Sequence, residues 1–447
     1  SREPAPLFDM AAIRDPKTLA VETIREWHEV GGPVRTRQKV ITIHVGEMWP
    51  GQAYRVPVRL IVPVGRKAKG FHLTGSNGTE RIRRDSGLRP FERTLIEGGV
   101  GLVDTVVQEP RAMGLRKLGE ESERRFARSL NPRHKVQYWA WPASLMRAVT
   151  AAFAETDHFD AGNVALSGGS KNGASPSMAI LHDQRMTAVH ASVSPIWNSP
   201  LRRFETAAWK DLEKNGKIRH PFLGGHFGPS FHRRALAAGK DWKELQAFAK
   251  RYDRDVFISQ RLDELRQRKV DLLFHPGTHD FVAFDLAWGG TRHPTIPVYL
   301  AANSGHGKRQ GHPNKERDER NRDAFLIQHF FDGVEPLLTP PSIHHRREKD
   351  RLVVSVRFRK TSSEESGRIW WIFDRPQDGS FGYLKEMIPD ENSAEMKRGE
   401  SGAWVVEIPL EASAKRIDVF SNHRKTIRYG GKSYATYLSS PYTRVKL

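Results

Sequence analysis

The feature that most constrains the fold of this chain is the segment 164–180, where a predicted strand meets a predicted helix. A short apolar run ends at Gly168 and Gly169, Ser170 follows, and apolar residues at helical spacing begin directly afterwards. This order is typical of a nucleophile elbow, in which a tight turn exposes a serine hydroxyl at the edge of a sheet. Counted to Gly173, the spacing is one residue longer than the commonest form of the motif. The alternative is a Gly- and Ser-rich loop that carries no chemistry.

Two further polar residues follow later strands in the order that an elbow serine requires. A serine hydroxyl needs a histidine to take its proton and an acid to orient that histidine. In doubly wound hydrolases the chain order is serine, acid, histidine, each just beyond a strand. Asp280 follows a strand predicted at 270–274, and His306 follows one predicted at 296–302. We therefore predict that Ser170, Asp280 and His306 form a catalytic triad.

Three other side chains compete for these roles. His279 could be the base, although it lies beside Asp280 on the same turn. Asp285 could be the acid, but we expect it to face solvent, and Glu205 follows an earlier strand where some hydrolases place their acid. The sequence leaves the choice among the three carboxylates open. The nineteen histidines include no His-Glu-x-x-His pattern, so we expect neither a metal nor another cofactor.

The negative charge that develops on an attacked carbonyl needs two amide donors. We assign one to the N–H of Lys171, which directly follows the serine. The other is expected from Ser76 and Asn77, in the loop 75–78, whose flanking glycines permit close backbone approach. Otherwise this loop is an ordinary tight turn. The Lys171 side chain could add positive charge at the substrate, or point into water.

The wider pattern predicts an α/β fold. From about residue 40 to 331, short apolar runs typical of strands alternate with segments whose apolar residues have helical spacing. This pattern predicts a doubly wound, mostly parallel sheet with helices on both faces. Its first two strands, within 40–63, are predicted to be antiparallel. Aromatic- and charge-rich helical patterns at 197–268 predict a helical cap insertion. Short strands after a proline-rich stretch predict a small C-terminal β-sandwich. We assign 1–338 to an α/β-hydrolase domain and 339–447 to the β-sandwich domain.

Four aromatic residues of the cap segment could shape a substrate pocket or form a small core of their own: Trp197, Trp209, Phe227 and Trp242. Trp197 lies soon after the end of a strand. It is therefore the residue that we expect to line the pocket.

The composition excludes several classes of protein. The chain has 447 residues, no cysteine and a formal net charge of +20. Without cysteine there are no thiolate nucleophiles, disulfides or thiolate metal sites. No apolar run has the length of a membrane span, and no motif for binding nucleic acid is present. The charge indicates a basic surface, suited to an acidic environment or to polyanions such as uronate-rich polysaccharides.

The chain opens with a serine and not a methionine. We expect an exported protein, secreted or periplasmic, whose signal has been removed, and a cytoplasmic location stays open. The sequence does not determine the oligomeric state.

The residues around the elbow resemble two known families. The run from Ser167 to Gly173 is similar to the Gly-Gly-Ser-Lys-x-Gly elbow of the PhoPQ-activated pathogenicity-related proteins, which belong to the α/β-hydrolase superfamily. It also resembles the Gly-Cys-Ser-Arg-Asn-Gly elbow of the glucuronoyl esterases, with glycine for cysteine and lysine for arginine. Ala174 stands where many pathogenicity-related members have tryptophan, which implies a different pocket beside the helix.

The first resemblance extends over most of the chain and implies an α/β-hydrolase fold followed by a β-sandwich. It places the nucleophile on Ser170, and the basic residue of the glucuronoyl esterases falls on Lys171. Asp280 and His306 match the superfamily positions, although a glucuronoyl esterase can take its acid from elsewhere.

Together these patterns predict a serine hydrolase that cleaves a carboxylic ester, carbohydrate-linked or uronate esters included, through an acyl-enzyme. The substrate is expected to be a small-molecule or carbohydrate ester, and no nucleic acid partner is expected. One alternative is a serine peptidase with the same triad order. The other is a secreted binding or signalling protein on a hydrolase scaffold with a disused triad.

Overall fold

A computed structural model describes residues 5–85, 87–214, 231–307, 313–376 and 387–447. The strands are β1 (Glu22–Val30), β2 (Thr36–Trp49), β3 (Gln52–Pro63), β4 (Ala68–Ser76), β5 (Gly101–Val106), β6 (Phe159–Gly169), β7 (Ala188–Ser192), β8 (Asp271–His275), β9 (Ser342–Glu348), β10 (Arg351–Arg357), β11 (Ser366–Phe373), β12 (Ser393–Glu395), β13 (Lys397–Arg398), β14 (Trp404–Pro409), β15 (Arg416–Tyr429), β16 (Lys432–Ser439) and β17 (Thr443–Lys446). The α-helices are α1 (Met10–Arg14), α2 (Thr79–Arg83), α3 (Pro90–Glu97), α4 (Arg116–Ser129), α5 (Trp141–Ala154), α6 (Lys171–His182), α7 (Thr206–Lys214), α8 (His232–Ala237), α9 (Trp242–Val256), α10 (Leu262–Gln267), α11 (Leu286–Arg292) and α12 (Pro313–Phe330).

The chain divides into two compact units. The first comprises Ser1–Ala191 and Gly225–Asp271, and the second Ser192–Gly224 and Leu272–Leu447. The segment 197–268 therefore contributes residues to both units. The domain boundary at residues 338/339 stays a prediction.

The first unit is built on a mixed sheet with the strand order β1-β2-β3-β5-β4-β6-β7. The pairs β1–β2, β2–β3 and β3–β5 are antiparallel, whereas β4 pairs in parallel with both β5 and β6. The expected antiparallel pair within 40–63 is present as β2 and β3. A tight turn at Gly51, whose φ is +83°, folds β2 back onto β3. The sheet is mixed and not mostly parallel in this part, because β1 and β5 also pair in the antiparallel sense with β2 and β3.

Strand β1 is not expected from the sequence. Its residues are mostly exposed, so the strand lacks the alternation of apolar and polar residues that marks a half-buried strand. At the opposite extreme, α5 is apolar around nearly its whole circumference and residues 141–152 are all buried. A helix that is apolar on all sides forms part of a hydrophobic core.

Helices from the predicted cap segment pack onto the first unit. Phe248 of α9 lies 5.6 Å from Phe126 of α4 and 5.7 Å from Tyr138, measured between ring centroids. Phe231, just before α8, completes this cluster. Trp242 lies 6.2 Å from His232. The aromatic rings at 231–252 therefore form a small core, and Phe227 lies outside the described residues.

The second unit contains antiparallel sheets where the β-sandwich was predicted. One has the order β13-β14-β10-β9, and the other has the order β12-β11-β15-β16, with β17 also paired to β15. Rings of Phe358 and Trp404 contact His423 of β15 at 4.8 and 5.9 Å, so aromatic packing joins strands of the two sheets.

The strand expected at 296–302 is reduced to two isolated parallel bridges, Phe274 with Val298 and Gly277 with Ala301. Pro297 has no N–H to donate, which limits a continuous ladder here. Within the described residues, none of the helices combines the length and apolarity that crossing a bilayer requires.

Candidate functional site

Ser170 lies between the end of β6 and the start of α6, in a backbone conformation that serine rarely adopts. Its φ is 57° and its ψ is −124°. A non-glycine residue at positive φ costs on the order of 1–3 kcal/mol, and such strain clusters at functional sites. The turn is therefore the strained strand-to-helix junction that the elbow pattern predicts.

The contact that makes this turn so tight is between Gly168 and Asn172. A Cβ atom on Gly168 would lie 2.2 Å from the backbone oxygen of Asn172, so only glycine fits. Each of the two residues is two positions from Ser170. The spacing is therefore that of the common elbow, with Asn172 at the place of the second glycine, and Gly173 lies inside α6.

The loop predicted to supply the second amide donor lies beside the elbow. Strands β4 and β6 run in parallel with Thr74 opposite Ser167, so their C-terminal ends are adjacent. Asn172 Nδ2 donates to Asn77 Oδ1 at 2.8 Å. The structure thus brings Asn77 together with the turn that carries Ser170.

A close contact with neighbouring side chains explains why residue 75 is glycine. Ser76, the last residue of β4, is buried. A Cβ atom on Gly75 would lie 2.6 Å from Asn172 Oδ1 and 2.8 Å from Val107 Cγ2. Gly75 therefore leaves room for the Asn172 side chain that reaches Asn77.

The Lys171 side chain does not point into water. Its Nζ donates to Gln108 Oε1 and lies 5.9 Å from the centre of the Trp141 ring. Burial lowers the pKa of Lys171, and the nearby carboxylate of Glu109 opposes that effect. Burial raises the pKa of Glu109 itself. A half-buried cation is therefore carried by the residue that directly follows Ser170.

Gln108 connects the loop of Asn77, the Lys171 side chain and Trp141 through hydrogen bonds. Its Nε2 donates to the carbonyl oxygen of Asn77 at 2.7 Å, while its Oε1 accepts from Lys171. Its own carbonyl oxygen accepts from Trp141 Nε1 at 3.0 Å. Sequence reasoning did not single out Gln108, Glu109 or Trp141. The available signal was a polar pair directly after the buried strand β5, at the carboxyl end where sites of α/β sheets lie.

Asp280 and His306 lie together in the second unit. His306 Nδ1 is 3.0 Å from Asp280 Oδ1, and the Asp280 side chain is fully buried. Asp280 Oδ1 also accepts from the N–H of Val282. The His306 ring packs against Phe281 with ring centroids 4.6 Å apart. A carboxylate on Nδ1 holds the proton there and makes Nε2 the nitrogen that accepts a proton.

Backbone contacts hold the two loops that carry this pair. The N–H of His279 donates to the carbonyl of Ser304 at 3.0 Å, and the N–H of Asn303 donates to Thr278 Oγ1 at 2.9 Å. A Cβ atom on Gly277 would lie 2.3 Å from the Ser304 oxygen. The loop of His306 is thereby fixed against the loop of Asp280.

Each competing side chain has another partner. His279 is buried, with Nδ1 2.8 Å from the Thr278 hydroxyl. Glu205 pairs with Arg203 at 2.5 Å. The expectation that Asp285 faces solvent is wrong. It is buried and pairs with Arg202 at 3.1 Å, because a buried carboxylate requires a cation.

Trp197 is buried in the second unit against α11. A Cβ atom on Gly289 would lie 2.2 Å from the Trp197 ring, so the glycine makes room for the indole. Trp209 is also buried and stacks on Phe204. A role of Trp197 in lining a substrate pocket stays a prediction.

The structure thus brings Ser170, Lys171, Ser76 and Asn77 together in the first unit, and Asp280 and His306 together in the second. In the part of the chain that the structure describes, no group of three or more His, Asp or Glu side chains is placed to hold a metal ion.

No family model and no curated protein matches this chain. Among solved structures it is similar to acetyl xylan esterase 1 from Thermoanaerobacterium sp., with 13% identity and a TM-score of 0.37 over 69% of this chain and 91% of the esterase. It is similar to a glucuronoyl esterase from Teredinibacter turnerae, with 14% identity and a TM-score of 0.39 over 70% of this chain and 78% of that one.

A third similar structure is a puromycin hydrolase, with 15% identity and a TM-score of 0.38 over 68% of this chain. The match spans 47% of the length of that protein. Identities and TM-scores this low do not identify a function for this protein.

Proposed function

We propose that this protein is a serine hydrolase with an α/β-hydrolase fold, and that it cleaves carboxylic esters. The observation that carries the proposal is the conformation of Ser170, at φ 57° between β6 and α6 with Gly168 packed on Asn172. A protein that used this turn only as a connection would gain nothing from the strain, whereas a nucleophile gains an exposed hydroxyl at a helix N-terminus.

In the proposed reaction, Ser170 Oγ attacks the ester carbonyl and its proton passes to His306 Nε2. Asp280 orients the imidazole through Nδ1 and stabilises the imidazolium. The N–H of Lys171 and the loop of Ser76 and Asn77 stabilise the oxyanion. The C–O bond to the alcohol then breaks, and His306 returns the proton to the leaving oxygen. Water attacks the resulting acyl-enzyme by the same steps and releases the acid and free Ser170.

The surroundings of Lys171 favour a carbohydrate-linked ester, uronate esters included. Its Nζ is positioned near the elbow by Gln108, so it adds positive charge near a carbonyl under attack. Gln108 and Glu109 provide polar groups of the kind that bind sugar hydroxyls, and the buried Gln137 amide donates to Glu109 at 3.3 Å.

The test is a substrate panel: an aryl acetate, a methyl glucuronate ester and a dipeptide arylamide. We expect the protein to hydrolyse the two esters, the glucuronate with the higher kcat/KM, and S170A to lose at least about 10³-fold in kcat. The matched control S413A removes an exposed serine hydroxyl and is expected to act as wild type. Cleavage of the amide alone would favour the peptidase, and ester hydrolysis retained in folded S170A would overturn the proposal.

A further inference from the structure

The second unit contains a cavity of about 530 Å³ that is lined by neither Asp280 nor His306. Its wall is formed by residues from the stretch around α7, from the segment 284–288, and from the adjacent ends of β15 and β17. Leu201, Phe284 and Trp288 supply an apolar surface. The volume falls within the range of sites that bind small molecules, about 300–1,000 Å³.

Strand pairing concentrates positive charge at this cavity. Strand β17 pairs with β15 so that Arg416 lies opposite Lys446, and Lys415 precedes Arg416 in the chain. All three side chains line the cavity. Within the described ranges, none of the three is paired with a carboxylate. This cluster is therefore available to an anion from outside the chain.

Hydrogen bonds within the protein fix two arginine side chains of the cavity wall. Arg444, a fourth cation of the wall, forms a fork with Asp418 at 2.8 and 2.9 Å. The guanidinium of Arg416 donates from Nε to the carbonyl oxygen of Arg375 at 3.0 Å. Hydrogen bonds within the protein thus already fix the positions of the Arg416 and Arg444 side chains at the ends of β15 and β17.

The wall also provides acceptors. Asp211 is exposed, and Asp285 is buried against Arg202. Four cations against two carboxylates leave the wall net positive, and both donors and acceptors are present. An inorganic anion would use only the cations. A sugar acid would use the cations through its carboxylate, the carboxylates through its hydroxyls, and Trp288 through its ring.

We propose that this cavity binds a uronate unit of an acidic oligosaccharide. The carboxylate contacts the cluster of Lys415, Arg416 and Lys446, and the sugar ring packs on Trp288. The proposal does not depend on the chemistry of Ser170 and does not require that the protein be an esterase.

The test is calorimetric titration of the full chain with trigalacturonate and with its neutral counterpart galactotriose, at about 0.15 M salt, where long-range attraction is screened. The double variant K415E/K446E reverses two exposed charges of the cavity. The matched control K397E/K432E makes the same change of net charge at two exposed lysines elsewhere in the sheets. Circular dichroism checks that both fold.

We expect trigalacturonate to bind, galactotriose to bind at least tenfold more weakly, and K415E/K446E to lose about tenfold or more in affinity while the control keeps it. Binding is also expected to quench tryptophan fluorescence in the wild type and not in W288F. Equal losses in the two double variants would mean general attraction to a basic surface and would overturn the proposal. So would the absence of trigalacturonate binding, or equal binding of the neutral sugar.

Discussion

Ser170 and Asp280 are both in environments that cost free energy. Ser170 adopts a strained backbone conformation, and Asp280 is a fully buried carboxylate whose hydrogen-bond partner is a partly exposed histidine. Burying a carboxylate costs several kcal/mol unless it is paired and hydrogen-bonded. Asp280 Oδ1 contacts His306 Nδ1 and accepts from the N–H of Val282, and in the proposed mechanism the first contact orients the imidazole.

We predict that D280N will fold and lose activity on the order of 10⁴-fold in kcat. An amide in place of the carboxylate can donate to Nδ1, which favours the wrong tautomer of His306 and no longer stabilises the imidazolium. Steady-state kinetics on an aryl ester measures the loss. The control is E205Q, which changes an exposed carboxylate paired with Arg203. An unchanged kcat for D280N would remove Asp280 from the mechanism.

At the scale of elements, the site is made by the ends of parallel strands and by the glycines that follow them. Gly75 is the next-to-last residue of β4, and Gly168 directly follows the buried part of β6. A Cβ atom added at either position would overlap atoms of Asn172. Asn172 is therefore the residue on which the elbow and the neighbouring loop converge.

We predict that G75A will lower kcat by about tenfold or more and destabilise the protein by about 1–3 kcal/mol. The added methyl overlaps the Asn172 side chain and Val107, so the loop of Asn77 must move away from Ser170. Kinetics and urea unfolding measure the two effects. G31A is the matched control, because a Cβ atom there meets nothing within 4 Å. Equal kinetics for G75A and G31A would show that the loop does not take part.

The sequence predicts these elements to the extent that their patterns are local. The elbow, its flanking strand and helix, and the hairpin of β2 and β3 depend on glycines and apolar runs close together in the chain. The close contact of Gly168 with Asn172 was not predicted. The sequence pattern pointed to the glycine at 173, and the contact depends on the backbone dihedral angles of the turn. The ion pair of Asp285 with Arg202 joins residues far apart in the chain, and no local pattern indicates it.

At the scale of the whole molecule, buried histidines make the stability of the fold depend on pH. Burial lowers the pKa of His182, His232 and His423 to about 4 in each case. For His423, burial outweighs the contact of Nδ1 with the carbonyl of Ser366, which acts to raise the pKa, and Nε2 faces the hydroxyl of Ser421. The unfolded chain protonates these rings near pH 6.5, so it binds more protons than the folded chain between pH 6.5 and 4.

We predict that stability falls on acidification from pH 7 to 5, by about 2 kcal/mol for each such histidine, and is fully retained above pH 7. Urea unfolding at several pH values measures the slope. H423Q should reduce that slope, whereas H344Q, on an exposed part of β9, should leave it unchanged. Stability that is constant or rises between pH 7 and 5 would contradict the assignment of neutral buried rings.

The most direct test of the central claim is chemical modification of Ser170. The intact protein is incubated with a fluorophosphonate, digested, and mapped by tandem mass spectrometry. We expect a single phosphonyl adduct on Ser170, formed at a rate that falls sharply in a folded H306A variant. Folded protein that stays unmodified, or that carries the adduct on another serine, would contradict it.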